Sequence, residues 1–174
     1  MQLEGKPKLT SVDINDILDK TISFALKHPS FSSNTSTPIS ASKAFDKALP
    51  EVQADPMQMQ QVFLNLLINA IEAMPDGGTL GMKTCYDTKP NFVQIMISDT
   101  GPGINKDIID NIFQPFFTTK RKGTGLGLAI TRRLIEQNGG HIGVESHSGQ
   151  GTVFTISLDL NNAAKETIVY DGNI

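Results

Sequence analysis

Two carboxamides and a carboxylate lie at helical spacing within one apolar stretch of the chain. Asn65 and Asn69 are four residues apart and Glu72 follows three residues later, so the three side chains share one stripe of a helix. Mg²⁺ prefers hard oxygen ligands and needs few from the protein when phosphates supply the rest, which suits an Asn carbonyl oxygen. A stripe of this kind is by itself more typical of a solvated helix face, so neighbouring motifs must decide its role.

A second group of polar residues follows a predicted strand. Asp99 ends the strand and enters the turn Thr100-Gly101-Pro102-Gly103. Its carboxylate can accept a hydrogen bond from an exocyclic amino group, which adenine carries at N6, whereas guanine presents a carbonyl there. Gly101 and Gly103 would let the backbone approach a flat ring closely. Taken alone, the motif fits an Asp-Gly turn without a ligand equally well.

A third motif, the glycine cluster Gly123–Gly127, runs into a predicted helix. Helix N-termini offer unpaired N–H groups and partial positive charge, which favour phosphate oxygens. Lys120, Arg121 and Lys122 precede the cluster and could reach the β- and γ-phosphates, and Lys120 is favoured because it directly follows the Phe116–Thr119 segment. The cluster matches neither the dinucleotide fingerprint nor the phosphate loop of P-loop proteins.

The elements that would position these motifs are predicted from apolar spacing. Asp55 is a suitable N-cap and Pro56 a suitable first residue for the helix that carries the asparagine stripe, and Pro75–Gly78 ends it. Further helices are expected over 12–27, capped by Asp13, and over 104–112 and 125–138. Strands are expected near 39–45 and 52–54, and hairpins should join 80–86 to 93–97 and 142–144 to 154–158.

These elements predict an α+β two-layer sandwich, in which about three helices cover one face of a mixed, mostly antiparallel sheet. Residues 1–10 are interpreted as a linker, 11–160 as the domain and 161–174 as a polar C-terminal tail. Loops are expected over 30–38 and 113–122, the second of them mobile.

Composition limits the classes of function. The 174 residues suit one domain, and the net charge of −3 without a basic stripe argues against nucleic acid and anionic membrane as partners. The single cysteine, Cys85, indicates a reducing compartment and is interpreted as a packed side chain. No apolar run is long enough to cross a bilayer, and residues 1–8 lack a signal-peptide core, so we expect a cytoplasmic domain whose parent protein could be membrane-anchored.

The order and wording of these motifs resemble the catalytic, ATP-binding domain of bacterial sensor histidine kinases, within the gyrase–chaperone–histidine kinase ATPase superfamily. The wording Phe-Phe-Thr-Thr-Lys is most similar to the nitrogen-regulation type. The resemblance spans roughly residues 12–158. It rests on an N box (65–73), a first glycine box (99–103), an F box (113–117), a second glycine box (123–127) and the closing segment Gly151-Thr152-Val153-Phe154.

The resemblance implies a Bergerat-type fold and a set of roles. Asn69 would chelate Mg²⁺, Asn65 would lie near the phosphates, Asp99 would bind adenine N6, and 104–122 would form a lid over ATP. Asn65 and Lys120 are the expected catalytic residues, and Glu72 is expected to support the pocket. The implied nucleotide-binding residues are Asn65, Asn69, Asp99, Gly101, Gly103, Ile104, Phe116, Lys120, Thr124, Gly125, Leu126, Gly127, Leu128 and Thr152.

One departure from the superfamily favours the kinase branch. Members that hydrolyse ATP usually carry Glu four residues before the metal-binding Asn, and here that position is Asn65, which cannot act as a general base. The resemblance then implies a histidine nucleophile on a separate dimerisation and phosphoacceptor domain, with a downstream response regulator. None of His28, His141 and His147 matches the family's phosphoacceptor helix.

Three other functions remain open at this point. The domain could be an ATPase of the same superfamily, which Asn65 disfavours. It could be a nucleotide-binding module without catalysis, which the complete set of boxes disfavours. It could also be a protein-serine kinase of the superfamily, although those enzymes usually keep the carboxylate base.

Overall fold

The computed structural model describes residues 6–27, 39–89, 91–120 and 123–161, and within them the chain forms one mixed sheet, one small ribbon and four helices. The helices are α1 (Ile14–Lys27), α2 (Pro56–Glu72), α3 (Lys106–Ile109) and α4 (Gly127–Gln137). The strands are β1 (Thr10–Val12), β2 (Ile39–Ala44), β3 (Val52–Ala54), β4 (Gly78–Asp87), β5 (Phe92–Asp99), β6 (Gly140–Ser146) and β7 (Thr152–Asp159).

Helix α2 begins where local chemistry predicts. The Asp55 carboxylate accepts hydrogen bonds from the backbone N–H groups of Met57 and Gln58 at 3.0 and 3.1 Å, and Pro56 is the first helical residue. The predicted apolar face is buried, and each large side chain on it contributes roughly 1.5–3 kcal/mol. Its buried members are Met59, Val62, Phe63, Leu66, Leu67, Ala70 and Ile71.

The five-stranded sheet has the order β2-β4-β5-β7-β6. Only β2 and β4 run parallel, and the other three pairs are antiparallel. Both predicted hairpins are confirmed, as β4 with β5 and as β6 with β7. Helix α2 contacts β4 and β5, α4 contacts β6, and α1 and α4 both pack on α2. The expected two-layer α+β sandwich with a mostly antiparallel sheet is therefore confirmed.

Several boundaries differ from the sequence-based expectation. Strand β1 begins at Thr10, inside the segment interpreted as a linker, and pairs antiparallel with β3. Helix α4 begins at Gly127 and not at Gly125, because Gly125 has a φ of +67°, which a right-handed helix cannot accommodate. The helix expected over 104–112 is the single turn α3, capped by Asn105. The expected loop over 30–38 and most of the expected tail lie outside the described residues.

One buried carboxamide joins the two helices that frame the site. Asn138 accepts a hydrogen bond from the Asp55 backbone N–H at 2.7 Å and donates to Gln58 Oε1 at 2.7 Å and to the Leu134 carbonyl at 2.8 Å. Because its polar atoms bind both the end of α4 and the start of α2, it fixes the position of the glycine cluster relative to the asparagine stripe.

Candidate functional site

A cavity of about 620 Å³ opens between α2, the end of β5 and the segment that leads into α4. That volume lies in the range of small-molecule sites. Residues from all the predicted motifs line this cavity, although the motifs are far apart in the chain. Its walls include the predicted residues Asn65, Asn69, Asp99, Gly103, Ile104, Lys120, Thr124, Gly125, Gly127, Leu128 and Thr152.

A row of polar residues across three adjacent strands lies at one end of the cavity, and two of its three members line the cavity. Asp99 at the end of β5 pairs in register with Thr152 at the start of β7, and Thr152 pairs with Ser146 at the end of β6. All three are buried, at 8%, 6% and 6% exposure. Because buried polar side chains must find partners, this row has to be bonded internally or to a ligand.

Asp99 is held in place by the turn that follows it. Its Oδ1 accepts a hydrogen bond from the Gly101 backbone N–H at 2.9 Å. Burial raises the pKa of the Asp99 carboxyl above its ordinary value, and hydrogen bonds from the backbone N–H groups of Gly101 and Thr152 oppose that rise. A ligand that donates to the carboxylate would replace part of the lost hydration.

The glycines of this turn are required by space. A Cβ on Gly101 would lie 2.8 Å from the Ala73 carbonyl and 2.9 Å from Asp99 Oδ1, so the turn packs directly on the C-terminal end of α2. Gly103 has a φ of +72°, and a Cβ there would collide with the His147 carbonyl. The turn therefore lies close enough to α2 to form the cavity wall with it.

At the other end of the cavity, the positively charged side chain of Lys120 lies next to the asparagine stripe. Lys120 Nζ donates to Asn69 Oδ1 at 3.1 Å and lies 2.5 Å from Glu72 Oε2. Asn69 therefore directs its carbonyl oxygen at a positive charge, and Glu72 adds a negative charge beside it. Glu72, expected only to support the pocket, is part of its wall and pairs with Lys120.

Asn65 is held by the helix that follows the glycine cluster. Its Nδ2 donates to the buried Thr131 hydroxyl at 2.6 Å, and a Cβ on Gly127 would lie 2.8 Å from its Oδ1. A side chain at the start of α4 would therefore require this carboxamide to shift. Asn65 thus lies beneath the N-terminus of α4 with one face toward the cavity.

Three predicted binding residues are not in the cavity wall. Gly101 lies outside the wall and donates its backbone N–H to the Asp99 carboxylate. Leu126 is the residue before the first turn of α4. Phe116 is 76% exposed with a φ of +67°, and its backbone N–H donates to the Gly125 carbonyl at 2.9 Å. Its neighbour Phe117 lines the cavity instead. A role for Phe116 in binding stays a prediction, and Arg121 and Lys122 lie outside the described residues.

Sequence reasoning missed three polar residues that bond the elements around the cavity to one another, namely Ser146, Thr131 and Asn138. Ser146 follows the partly buried Ile142 and Val144 at a period of two on β6, so alternation alone would have placed it on the inward face. Thr131 and Leu134 are both buried on α4, three residues apart, which is a helix-face signal of the same kind. These patterns predict that the side chains are buried, but they do not predict which groups the side chains bond to.

Among the residues that the structure describes, no group of three or more His, Cys, Asp or Glu side chains is placed to hold a metal ion. In the same described residues, no helix has the length and hydropathy needed to span a bilayer.

Comparison with known proteins shows to which protein family the chain belongs. The family model described as Histidine kinase-, DNA gyrase B-, and HSP90-like ATPase matches residues 54–162, which is more than half of the chain. The chain therefore belongs to this family, as the N box and the two glycine boxes implied. The match begins at the end of β3 and extends beyond β7, so it contains the whole described cavity.

The curated relatives include sensor histidine kinases. Sensor histidine kinase ZraS of Escherichia coli K12 is 38% identical over 158 residues, covering 91% of this chain and 32% of the relative. Sensory histidine kinase/phosphatase NtrB of Rhodobacter capsulatus is 37% identical over 165 residues, covering 88% of this chain and 44% of the relative. The chain thus spans less than half the length of either relative.

Comparison with solved structures shows that the likeness is to the catalytic domain of histidine kinases. The catalytic domain of histidine kinase ThkA, in a nucleotide-free form, has a TM-score of 0.72 and 31% identity, covering 88% of this chain and 96% of that one. Full-length ShkA in complex with AMPPNP has a TM-score of 0.76 and 30% identity, covering 88% of this chain and 31% of that one. The chain is homologous to the catalytic domains of sensor histidine kinases, and the expected fold is confirmed.

Proposed function

We propose that this domain binds Mg-ATP and transfers the γ-phosphoryl group to a histidine on a separate dimerisation and phosphoacceptor domain. The observation that carries the proposal is the arrangement of one cavity with a buried carboxylate, Asp99, at one end and the Lys120–Asn69 pair at the other. Likeness to full-length ShkA in complex with AMPPNP supports the choice of nucleotide, and likeness to the catalytic domain of histidine kinase ThkA supports the choice of acceptor.

The base would lie at the Asp99 end. An ionised carboxylate only accepts hydrogen bonds, so it suits the N6 amino group of adenine and repels the carbonyl that guanine has at that position. Pro102 and Gly103 would form one wall of the base pocket, since both line the cavity together with Asp99.

The triphosphate would lie at the other end, between Asn69 and the start of α4. Asn69 Oδ1 already accepts a hydrogen bond from an ammonium group, so it fits a role as a ligand of Mg²⁺. When bound, Mg²⁺ would neutralise phosphate charge in phosphoryl transfer. Lys120 would leave Glu72 and donate to the γ-phosphate, and the unpaired N–H groups at the start of α4 would bind phosphate oxygens.

The residue four positions before Asn69 supports the choice of acceptor. Asn65 has a carboxamide where a general base is needed to activate water, and its Nδ2 is bonded to Thr131. A neutral imidazole needs no such base, because its nitrogen lone pair attacks phosphorus directly. The phosphorus–nitrogen bond forms as the bond to the bridging oxygen breaks, ADP leaves with that electron pair, and the proton on the other ring nitrogen is then released to water. We propose that the phosphohistidine then serves a response regulator and that the domain works in the cytoplasm.

Calorimetric titration with a non-hydrolysable ATP analogue and Mg²⁺ tests the binding site. Asp99→Asn should weaken binding about 10- to 100-fold, because it removes a charged hydrogen-bond partner of the base. Asp159→Asn is a matched control, since Asp159 Oδ1 likewise accepts from the backbone N–H two residues later, at 2.7 Å, outside the cavity wall. Equal affinity in all three proteins would contradict the adenine assignment.

A phosphotransfer assay tests the acceptor. The domain, labelled ATP and a separately produced phosphoacceptor domain from a relative should give acid-labile label on the acceptor, with little free phosphate when the acceptor is omitted. Rapid phosphate release by the domain alone would favour an ATPase. Nucleotide binding without labelled acceptor would favour a non-catalytic module.

A further inference from the structure

A buried hydroxyl lies directly behind the proposed base pocket without lining it. Ser146, at the end of β6, is 6% exposed. Its Oγ is bonded to the Ile104 backbone N–H at 2.8 Å, to the Gly151 carbonyl at 2.7 Å and to the Thr152 hydroxyl at 3.0 Å. Two of these partners, Ile104 and Thr152, are cavity residues, whereas Ser146 is not.

The direction of each hydrogen bond follows from the available protons. A serine hydroxyl has one proton to donate and two lone pairs to accept with. The Ile104 N–H can only donate, so it uses one lone pair, and the Gly151 carbonyl can only accept, so it takes the Ser146 proton. The remaining lone pair can only accept, which means that Thr152 donates its hydroxyl proton to Ser146.

That assignment determines what Thr152 offers to a ligand. With its proton directed at Ser146, Thr152 Oγ1 can only accept toward the cavity. The neighbouring carboxylate of Asp99, one strand away in register, also accepts. Two acceptors side by side suit an amino group and disfavour a carbonyl oxygen, because both acceptors repel a further lone pair.

We propose that Ser146 is a positioning residue that keeps the Thr152 hydroxyl as an acceptor and thereby makes the pocket select a 6-amino purine over a 6-oxo purine. This inference rests on the proposed function and assigns specificity within that site to a residue that does not touch the ligand. Through its bond to Ile104, Ser146 also holds the exit of the Gly101–Gly103 turn against β6.

The test compares Mg-ATP with Mg-ITP, whose base carries a carbonyl in place of the amino group, by calorimetry on this domain. In Ser146→Ala, the Thr152 hydroxyl is free to rotate and to donate to that carbonyl. The ratio of ATP affinity to ITP affinity should fall about three- to ten-fold, the range of one hydrogen bond. Ser146→Thr keeps the hydroxyl and should restore the ratio.

Ser157→Ala is the matched control. Ser157 lies on β7 like Thr152, but an odd number of residues away, so its side chain faces the opposite side of the sheet. The ratio should not change in this variant. If Ser146→Ala weakens ATP and ITP by the same factor, or changes neither, Ser146 only supports the fold and the inference is wrong.

Thr152→Val provides a second route should Ser146→Ala fail to fold. It removes the acceptor itself, so ATP binding should weaken while ITP binding does not, and an equal loss for both nucleotides would overturn the inference. A wild-type domain that binds neither nucleotide would refute the proposed function as well. A wild-type domain that binds ATP and ITP equally well would refute the selection of a 6-amino purine by Asp99 and by Ser146, and would leave nucleotide binding itself unaffected.

Discussion

Replacing Glu72 by Gln should tighten the binding of Mg-ATP, although the change removes a charge from the cavity wall. Lys120 Nζ lies 2.5 Å from Glu72 Oε2, and both side chains are about half exposed, at 47% and 49%. Lys120 cannot donate fully to a phosphate while it is paired with Glu72. The substitution removes this competitor and also removes a negative charge that repels the triphosphate, so both effects have the same sign.

The magnitude is bounded by the exposure of the pair. Exposed ion pairs contribute about 0–1 kcal/mol, so loss of the pairing with Lys120 should lower the dissociation constant by up to about five-fold, and the lost repulsion of the triphosphate adds to this in the same direction. Salt screens exposed charges, and the gain should shrink when titrations are repeated at high ionic strength. Glu136→Gln is the matched control, because Glu136 pairs with Arg132 at similar exposure, 54% and 55%, outside the cavity wall.

The assay is calorimetric titration of wild type, Glu72→Gln and Glu136→Gln with the Mg²⁺ complex of a non-hydrolysable ATP analogue. Tighter binding in Glu72→Gln alone is the expected result. Weaker binding in that variant would refute the reasoning, because it would mean that Glu72 helps to hold the cation and that its pairing with Lys120 does not oppose the nucleotide.

Two further predictions concern the ends of the cavity. Asn69→Ala should remove most of the Mg²⁺-dependent part of the affinity, measured as the ratio of dissociation constants with and without Mg²⁺, and an unchanged ratio would exclude Asn69 as a metal ligand. Asp99→Asn should raise the melting temperature of the nucleotide-free domain near neutral pH. Burial raises the pKa of the Asp99 carboxyl above its ordinary value. The contribution of Asp99 to stability is therefore present at low pH and is lost as pH rises through the folded-state pKa. The difference in melting temperature between the two proteins should therefore vanish in acid, and a lower melting temperature for Asp99→Asn near neutral pH would contradict this sign.

Opposite effects of Asp99→Asn on stability and binding would have a common cause. The carboxylate is disfavoured in the empty domain because it is buried, and the same burial strengthens its hydrogen bond to a ligand. A site of this kind trades stability for affinity, which is common where a charged group must be removed from water to recognise a ligand.

The sequence by itself determined the elements whose signals are local. The start of helix α2 could be placed to the residue because its cap and its first proline are local signals, whereas its end, expected at Pro75, falls at Glu72. The hairpin of β4 and β5 could be placed because alternation and a polar turn define it. The position of Asp99, at a strand end before a glycine turn, is also local information. Strand β1 was missed because Val12 is its only apolar residue, whereas β3, of the same length, shows two apolar residues, Val52 and Ala54, at a spacing of two.

Contacts between distant segments were decided only by the tertiary structure. Lys120 lies 51 residues from Asn69 and 48 from Glu72, and no pattern in the sequence says that the three side chains meet. The row formed by Asp99, Thr152 and Ser146 depends on the register of β5, β7 and β6, since a shift of one residue would turn each side chain to the other face of the sheet. The direction of the Thr152 hydroxyl proton depends on the same register, because that direction is set only when all the polar groups that bond to Ser146 are in place.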